Sequence, residues 1–400
     1  MDENMKKMSN DSNIDDSTQI INIDEAIEVS AVKEAEPEIV DREYTVNKGK
    51  RIALIILCSV LALILVGVLT VAILGQTLLN RINRIDPNEP TLSQEQLESV
   101  LNQEETTDPT FTGPTVNVNE VTMPSQPVEE IDTENVINLL LVGQDRREGE
   151  GRRHSDSTIL ITINKSAKTL TMTSFMRDMW VYIPYGKSGF YERINCAYMV
   201  GGFKTLNATL QHNFGISSNH NVEVDFEGFE AIINKIGGVE IVLTAAEANY
   251  LNKHGNWDVD NDKSWSLKPG ANLLTGSQAL AYSRIRAIGN DQGRTNRQRT
   301  VLTSLINKAK TMGVMELYDL VYDLLPMITT DMTDSEILDY VTDLAPMLSE
   351  LTIVSQRIPA DGCYSSVTLN DDGVIKMVLM LNDEQLKKNI ELLTGTVKNG

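Results

Sequence analysis

Three stretches of this chain concentrate the side chains that grip phosphate. GQDRREGEGRRHSDS (143–157) sets Arg146, Arg147, Arg152 and Arg153 around Asp145 and Asp156. SFMRDMW (174–180) pairs Arg177 with Asp178, and YSRIRAIGNDQGRTNRQR (282–299) carries Arg284, Arg286, Arg294, Arg297 and Arg299, with Asp291 and Gln298 among them. Within 284–299 there are five arginines and no lysine. Lysine serves solubility equally well, whereas the planar guanidinium fork holds phosphate oxygens two at a time. Carboxylates interleaved with the arginines keep such a cluster near neutral until a phosphate and a divalent cation arrive. An all-oxygen donor set favours magnesium or manganese over zinc. A solvated salt-bridge helix draws on the same residue types, and composition with spacing leaves both readings open.

Spacing decides which of these groups can act together. Arg294, Arg297 and Gln298 follow at i, i+3 and i+4, which puts all three on one helix face. Arg284 and Arg286 are two apart and share a face only where the helix has ended and the chain is extended. Asp145 follows VINLLLVG (136–143), an apolar run that reads as a buried strand. That is the place beyond a strand end where open α/β sheets hold ligands. Arg177 and Asp178 stand at a second strand end. No phosphate-loop, H-E-x-x-H, G-x-S-x-G or C-x-x-C pattern occurs, and the four histidines have no ligand spacing.

The elements around these residues alternate. STILITINK (157–165) and TLTMTSFM (169–176) read as paired strands, FEGFEAIINKIGG (226–238) as a helix with a double-glycine stop, and GVEIVL (238–243) as a strand. Helices are predicted over 275–286 and 294–311, a strand over 351–358 and a last helix over 383–394. The sum is an α/β or α+β domain with helices covering its sheet. The apolar stretches of 198–236 fit either core packing or the lining of a lipid site.

At 400 residues with a net charge of −21 the chain holds one to three domains and lacks the basic footprint of a nucleic-acid binder. Most of the acidity sits in 1–47 (net −9) and 80–134 (net −10). The first reads as a disordered cytoplasmic tail. The second holds six of the twelve prolines and reads as an extracellular stalk with a short helix at 93–101, leaving a folded domain over 135–400. Between them, within 48–79, lies a run of 24 uncharged residues at 52–75, long enough for a transmembrane signal-anchor helix. Arg42, Lys48, Lys50 and Arg51 precede it and only Arg81 and Arg84 follow, which favours a cytoplasmic N-terminus and everything after residue 80 outside the cell membrane.

Taken in order, GQDRR, HSDS, SFMRDMWVYIP, RINCAYMVGG, VEVDFEGFEAIINKIGGVEI, LTGSQALAYSRIR and DQGRTNRQR resemble the LytR-CpsA-Psr family of cell-envelope proteins. The resemblance implies a central mixed β-sheet flanked by helices on both faces, with an apolar tunnel for a lipid. It also implies a phosphotransferase of Gram-positive type envelopes. Such an enzyme moves a glycopolymer (teichoic acid, capsule or another wall polysaccharide) from a polyprenyl-pyrophosphate carrier to a peptidoglycan hydroxyl, with Mg2+ or Mn2+ as cofactor. By the same resemblance Asp145 and Asp156 bind the metal, while Arg147, Arg177, Arg284, Arg286, Arg294 and Gln298 bind the pyrophosphate. Asp178 orients its neighbours, and Asp145 is the candidate base. The sequence departs from the pattern at His154, where an arginine is usual, so Arg153 would supply that charge from one residue earlier. It departs again at Met176, where a proline is usual. Cys196 and Cys363 could pair or stay free. A pyrophosphatase on the same donors and a non-enzymatic lipid-binding regulator remain as alternatives.

Overall fold

The computed structural model describes residues 83–85, 90–101, 113–124, 127–144, 152–254, 265–371 and 373–398. The tail, the 52–75 run, Asp145 and Arg147 lie outside them. Among the described residues no helix is long and apolar enough to cross a membrane.

The chain begins with β1 (Asn83–Arg84), α1 (Gln94–Leu101) and β2 (Thr115–Asn117). The apolar run after residue 135 forms β3 (Val136–Gln144), followed by the antiparallel pair β4 (Ser155–Asn164) and β5 (Thr169–Phe175), with Asn164 opposite Thr169. A second hairpin, β6 (Trp180–Ile183) with β7 (Phe190–Arg193), leads into α2 (Ile194–Phe214). Next come β8 (His220–Asp225), α3 (Phe226–Lys235), β9 (Val239–Leu243), α4 (Ala245–His254), β10 (Gly270–Leu274), α5 (Gly276–Arg284) and α6 (Asn290–Lys310). The chain closes with α7 (Val314–Leu324), β11 (Thr329–Thr330), α8 (Asp334–Leu344), β12 (Thr352–Ile358), β13 (Ser365–Asp371), β14 (Val374–Met380) and α9 (Asp383–Lys398).

Seven strands form one mixed sheet in the order β1-β11-β8-β3-β4-β5-β12. β3 is parallel to β8 and antiparallel to β4, and β12 lies parallel to β5. Period-two alternation gives each central strand two apolar faces, so both must be covered. Leu140, Leu160 and Phe175 face Leu206 and Phe214 of α2 and Leu393 of α9, whereas Ile159, Ile163 and Met172 face Leu302 and Ile306 of α6 and Leu344 of α8. Burial of each such side chain contributes about 1.5–3 kcal/mol. A third layer sits beside the sheet: the β9–β10 hairpin lays Val239, Ile241 and Leu274 against α3, α5 and α6.

One expectation is corrected. Residues 80–134 are not only a stalk: β1 pairs with β11, β2 pairs with β13, and Leu97 of α1 and Ile131 are buried in the main core. The folded domain therefore begins well before residue 135. The apolar residues of this acidic, proline-rich stretch are sparse, and their partners lie far along the chain, from Val200 and Gly215 to Thr330 and Leu369, so no local pattern announces them. Helix α2 carries no sequence signal of its own. It is buried on nearly every side, which erases the amphipathic period, and Gly201 and Gly202 interrupt it with non-helical backbone, Gly202 at φ 60°.

Candidate active site

The site gathers at the ends of β3, β4 and β5, beside α5 and α6. α5 starts with a full capping box between Thr275 and Gln278 and stops at Arg284. Ile285, at ψ 118°, then extends the chain, so Arg284 and Arg286 both reach the same cavity as their spacing requires. Gly276 is needed at the start of α5, since a Cβ there would stand 2.2 Å from the Glu230 carbonyl oxygen of α3. On α6 the residues Arg294, Gln298, Val301, Leu302 and Leu305 share the face that lines the cavity.

That cavity encloses about 530 Å3. Its inner walls are apolar, with Phe229, Ile232, Ile233, Tyr250, Leu280 and Leu305, and its polar end carries Asp156, Arg284, Arg286, Arg294 and Gln298. Arg294 is buried, with Nη1 3.4 Å from Asp156 Oδ1 and Nη2 2.6 Å from Asp291 Oδ1. Arg286, half exposed, stands 3.6 Å from Asp156. Arg177 lies behind this rim, its Nε 3.2 Å from Asp178 and 3.5 Å from Asp291. The Arg284 guanidinium stacks 4.7 Å from the Phe226 ring centroid.

Electrostatics show where charge is wanted. Burial pulls Arg286 down to about 10, helped by the like charges of Arg177 and Arg294, so it stays protonated at neutral pH but pressed by other cations. Arg177 also pays for burial, yet Asp178, Asp291 and Asp156 together raise it. Burial raises the Asp178 carboxyl against the pull of Arg177. Arg294 Nε and Nη2 and both Asp291 oxygens are buried without an aligned hydrogen bond. Their pairing is charge contact alone, which leaves donors for an anion and acceptors for a cation.

The structure brings Asp156, Arg284, Arg286, Arg294 and Gln298 to the cavity wall, with Arg177 and Asp178 behind it. Asp145 and Arg147 lie outside the described residues. Arg153 is exposed, away from the cavity wall, and its main-chain N–H donates to Gln144 Oε1 at 3.2 Å. Arg297 departs from the shared face expected of it. Its Nε meets Glu247 Oε1 at 2.8 Å, and its other nitrogens donate to the carbonyls of Ile285 and Ile288 at 3.0 and 2.6 Å. It is a structural bolt between α6, α4 and the loop after α5. Asp291 joins the site without a signal of its own in the sequence: the helix begins at Asn290, earlier than the predicted 294, and this carries the Asp291 carboxylate to Arg177 and Arg294. Of the 198–236 stretches, α2 fills the core, while Phe229, Ile232 and Ile233 of α3 line the cavity. Cys196 and Cys363 are both free, and burial pushes the Cys196 thiol up to about 12.

An apolar cavity closed at its polar end by arginines and carboxylates, on a mixed sheet covered on both faces, agrees with the family pattern of the motifs. The LytR_cpsA_psr family model matches residues 96–390, and the chain belongs to that family. Among curated proteins it is similar to TagT of Bacillus subtilis, a polyisoprenyl-teichoic acid–peptidoglycan teichoic acid transferase, at 31% identity over 191 residues. That match covers 46% of this chain and little more than half (56%) of TagT. It is also similar to the regulatory protein MsrR of Staphylococcus aureus, 29% identical over 268 residues, covering 64% of this chain and 73% of MsrR. Among solved structures, B. subtilis TagV superposes with a TM-score of 0.53 at 25% identity, covering 66% of this chain and 98% of TagV. TagT bound to LI-WTA superposes with a TM-score of 0.52 at 25% identity, covering 68% and 94%.

Proposed function

We propose that this chain transfers a glycopolymer from a polyprenyl-pyrophosphate carrier to a hydroxyl of peptidoglycan. The observation that carries the reading is the junction of an apolar cavity with an arginine cluster pressed by its own positive charge. An apolar chain fits the Phe229–Leu305 walls and a pyrophosphate fits the rim. The acceptor hydroxyl oxygen attacks the phosphorus next to the glycan, a new P–O bond forms, and the bond to the leaving polyprenyl phosphate breaks. Phosphoryl transfer of this kind depends on positioning and on neutralising charge. Arg284, Arg286 and Arg294 hold the phosphate oxygens, Gln298 adds a neutral donor, and Arg177 steadies Asp291 behind them. The hydroxyl proton goes to a carboxylate, for which Asp145 is the candidate.

The donor chemistry fits a hard, oxygen-seeking cation. Asp156 stands on the rim, and the Asp291 oxygens behind it are buried without hydrogen bonds. Among the described residues no three histidine, cysteine or acidic side chains come together as a metal site. A magnesium ion would therefore rely on Asp156, on Asp145, and on oxygens of the donor and water. Bound there, it supplies positive charge to the pyrophosphate. The same reading makes 52–75 the anchor that keeps this domain on the outer face of the cell membrane, within reach of both substrates.

The test uses the full chain in detergent with a polyprenyl-pyrophosphate-linked glycan, peptidoglycan fragments and magnesium, followed by mass spectrometry. A glycan–phosphate–peptidoglycan adduct that disappears in Arg284→Ala and Asp156→Ala supports the transferase. Free sugar phosphate without adduct makes the protein a pyrophosphatase. Tight donor binding without turnover makes it a lipid-binding regulator.

A further inference from the structure

Behind the Arg177–Asp178 corner lies a second buried charge cluster that the chemistry above does not use. Glu192 and Arg193 end β7, and Lys376 reaches them from β14, 184 residues beyond Glu192. All three are buried. Lys376 Nζ stands 2.6 Å from Glu192 Oε2 and 5.6 Å from the Trp180 ring centroid. The other Glu192 oxygen accepts from the Arg193 main-chain N–H at 2.9 Å and lies 3.5 Å from Arg193 Nε. Main-chain bonds tie this cluster to the corner: Leu379 N–H donates to the Asp178 carbonyl at 2.8 Å, and Ile194 N–H to the Met179 carbonyl at 2.9 Å. The Asn195 N–H, two residues past Arg193, also donates to the Arg177 carbonyl at 3.4 Å, and the Arg193 charge opposes the larger upward push of burial on the Asp178 carboxyl.

Charges alternate on both sides of these main-chain bonds: Lys376, Glu192 and Arg193 on one, and Asp178, Arg177, Asp291, Arg294 and Asp156 on the other. A buried ion pair is a weak source of stability and is often replaceable by apolar groups without loss. Its value here is directional. Removing one member leaves its neighbour uncompensated and free to choose another partner.

We propose that Lys376 and Glu192 are positioning residues for the active site: they lock the end of β7 and β14 together, and through the main-chain bonds to Arg177, Asp178 and Met179 they fix the Arg177–Asp178 pair that faces Asp291 and the phosphate rim. This rests on the transferase reading above. β14 thereby becomes part of the active-site support, although nothing on it touches the cavity wall.

The test measures kcat and donor KM for the full chain in detergent, with Lys376→Met, Glu192→Gln and Lys376→Arg beside wild type. Each of the first two variants is expected to lower kcat about 10–100-fold with KM within about twofold, since misplacing a group from a distance costs on that order. Lys376→Arg, which keeps the charge, is expected to recover most of the rate. Unchanged kcat per folded molecule with a lower melting temperature overturns the proposal and leaves the cluster a staple between β7 and β14. If Lys376→Met does not fold, the isosteric Glu192→Gln carries the same test. If wild type gives no adduct, the transferase reading fails, and amide exchange at Met179, Ile194 and Leu379 decides the positioning separately. Faster exchange in Glu192→Gln without global opening upholds it, and unchanged exchange overturns it.

Discussion

At the scale of single residues, the arginines of 284–299 divide by what they touch. Arg294 presents its fork to Asp156 and Asp291 at the rim, whereas each Arg297 nitrogen is engaged by Glu247 or a main-chain carbonyl. Lysine keeps the charge of either but loses the planar fork. Arg294→Lys is therefore expected to lower turnover about 10²–10³-fold, as loss of a preorganised charge donor does, with little change in melting temperature. Arg297→Lys is expected to do the reverse, and comparing adduct formation with thermal unfolding separates the two. The Glu247 partner adds a pH signature. Burial tends to raise its carboxyl, but the Thr244 N–H, the Arg297 guanidinium and the Thr244 hydroxyl override burial and lower it from the ordinary 4.5. A depressed folded value stabilises the fold above the unfolded value and loses that contribution as pH falls through the folded one. The gap in melting temperature between wild type and Glu247→Gln should thus be open at pH 7 and close in acid below 4.5.

At the scale of elements, the helices that carry the site are held by close contacts that leave no slack. The start of α5 fits against α3 only because position 276 lacks a Cβ. Gly276→Ala must push α5 away, at a cost of about 1–3 kcal/mol by analogy with overpacked cores, and it should weaken donor binding because Arg284 and Arg286 move with the helix. The segment before the main sheet is bound in the same physical way. Leu97 of α1 is only 2% exposed, and the Leu92 N–H donates to the Val200 carbonyl of α2 at 2.9 Å. Leu97→Ala is expected to cost about 2–5 kcal/mol, the range of buried leucine truncations, measured by denaturant unfolding. A mere stalk would show no such loss. The same segment also meets the residues just before β4, since Arg152 donates to the Pro90 carbonyl.

At the scale of the whole molecule, the proposal joins a membrane anchor, a lipid-sized cavity and a phosphate-binding rim in one chain. Chelating divalent cations should abolish adduct formation, and magnesium or manganese should restore it where zinc does not. Deleting 52–75 should move the protein from the membrane fraction to the soluble one and leave the site able to act on a short-chain, soluble donor. An anchorless protein that stays in membranes would count against the assignment of that segment.

What the sequence by itself determined is local: the paired strands at 157–176, the helix beginning at Phe226, the acid and arginine motifs, and the family they define. These rest on side-chain alternation, glycine stops and short-range spacing, which any stretch of chain carries with it. Tertiary structure decided the rest. It turned Arg297 inward while leaving Arg294 at the rim, made Asp291 a bridge between Arg177 and Arg294, and drew β1 and α1 into the domain. It also set Lys376 behind Arg177. Each of these depends on a partner far away in sequence. A guanidinium or a carboxylate has no role until folding decides which opposite charge it meets and how much water is left between them.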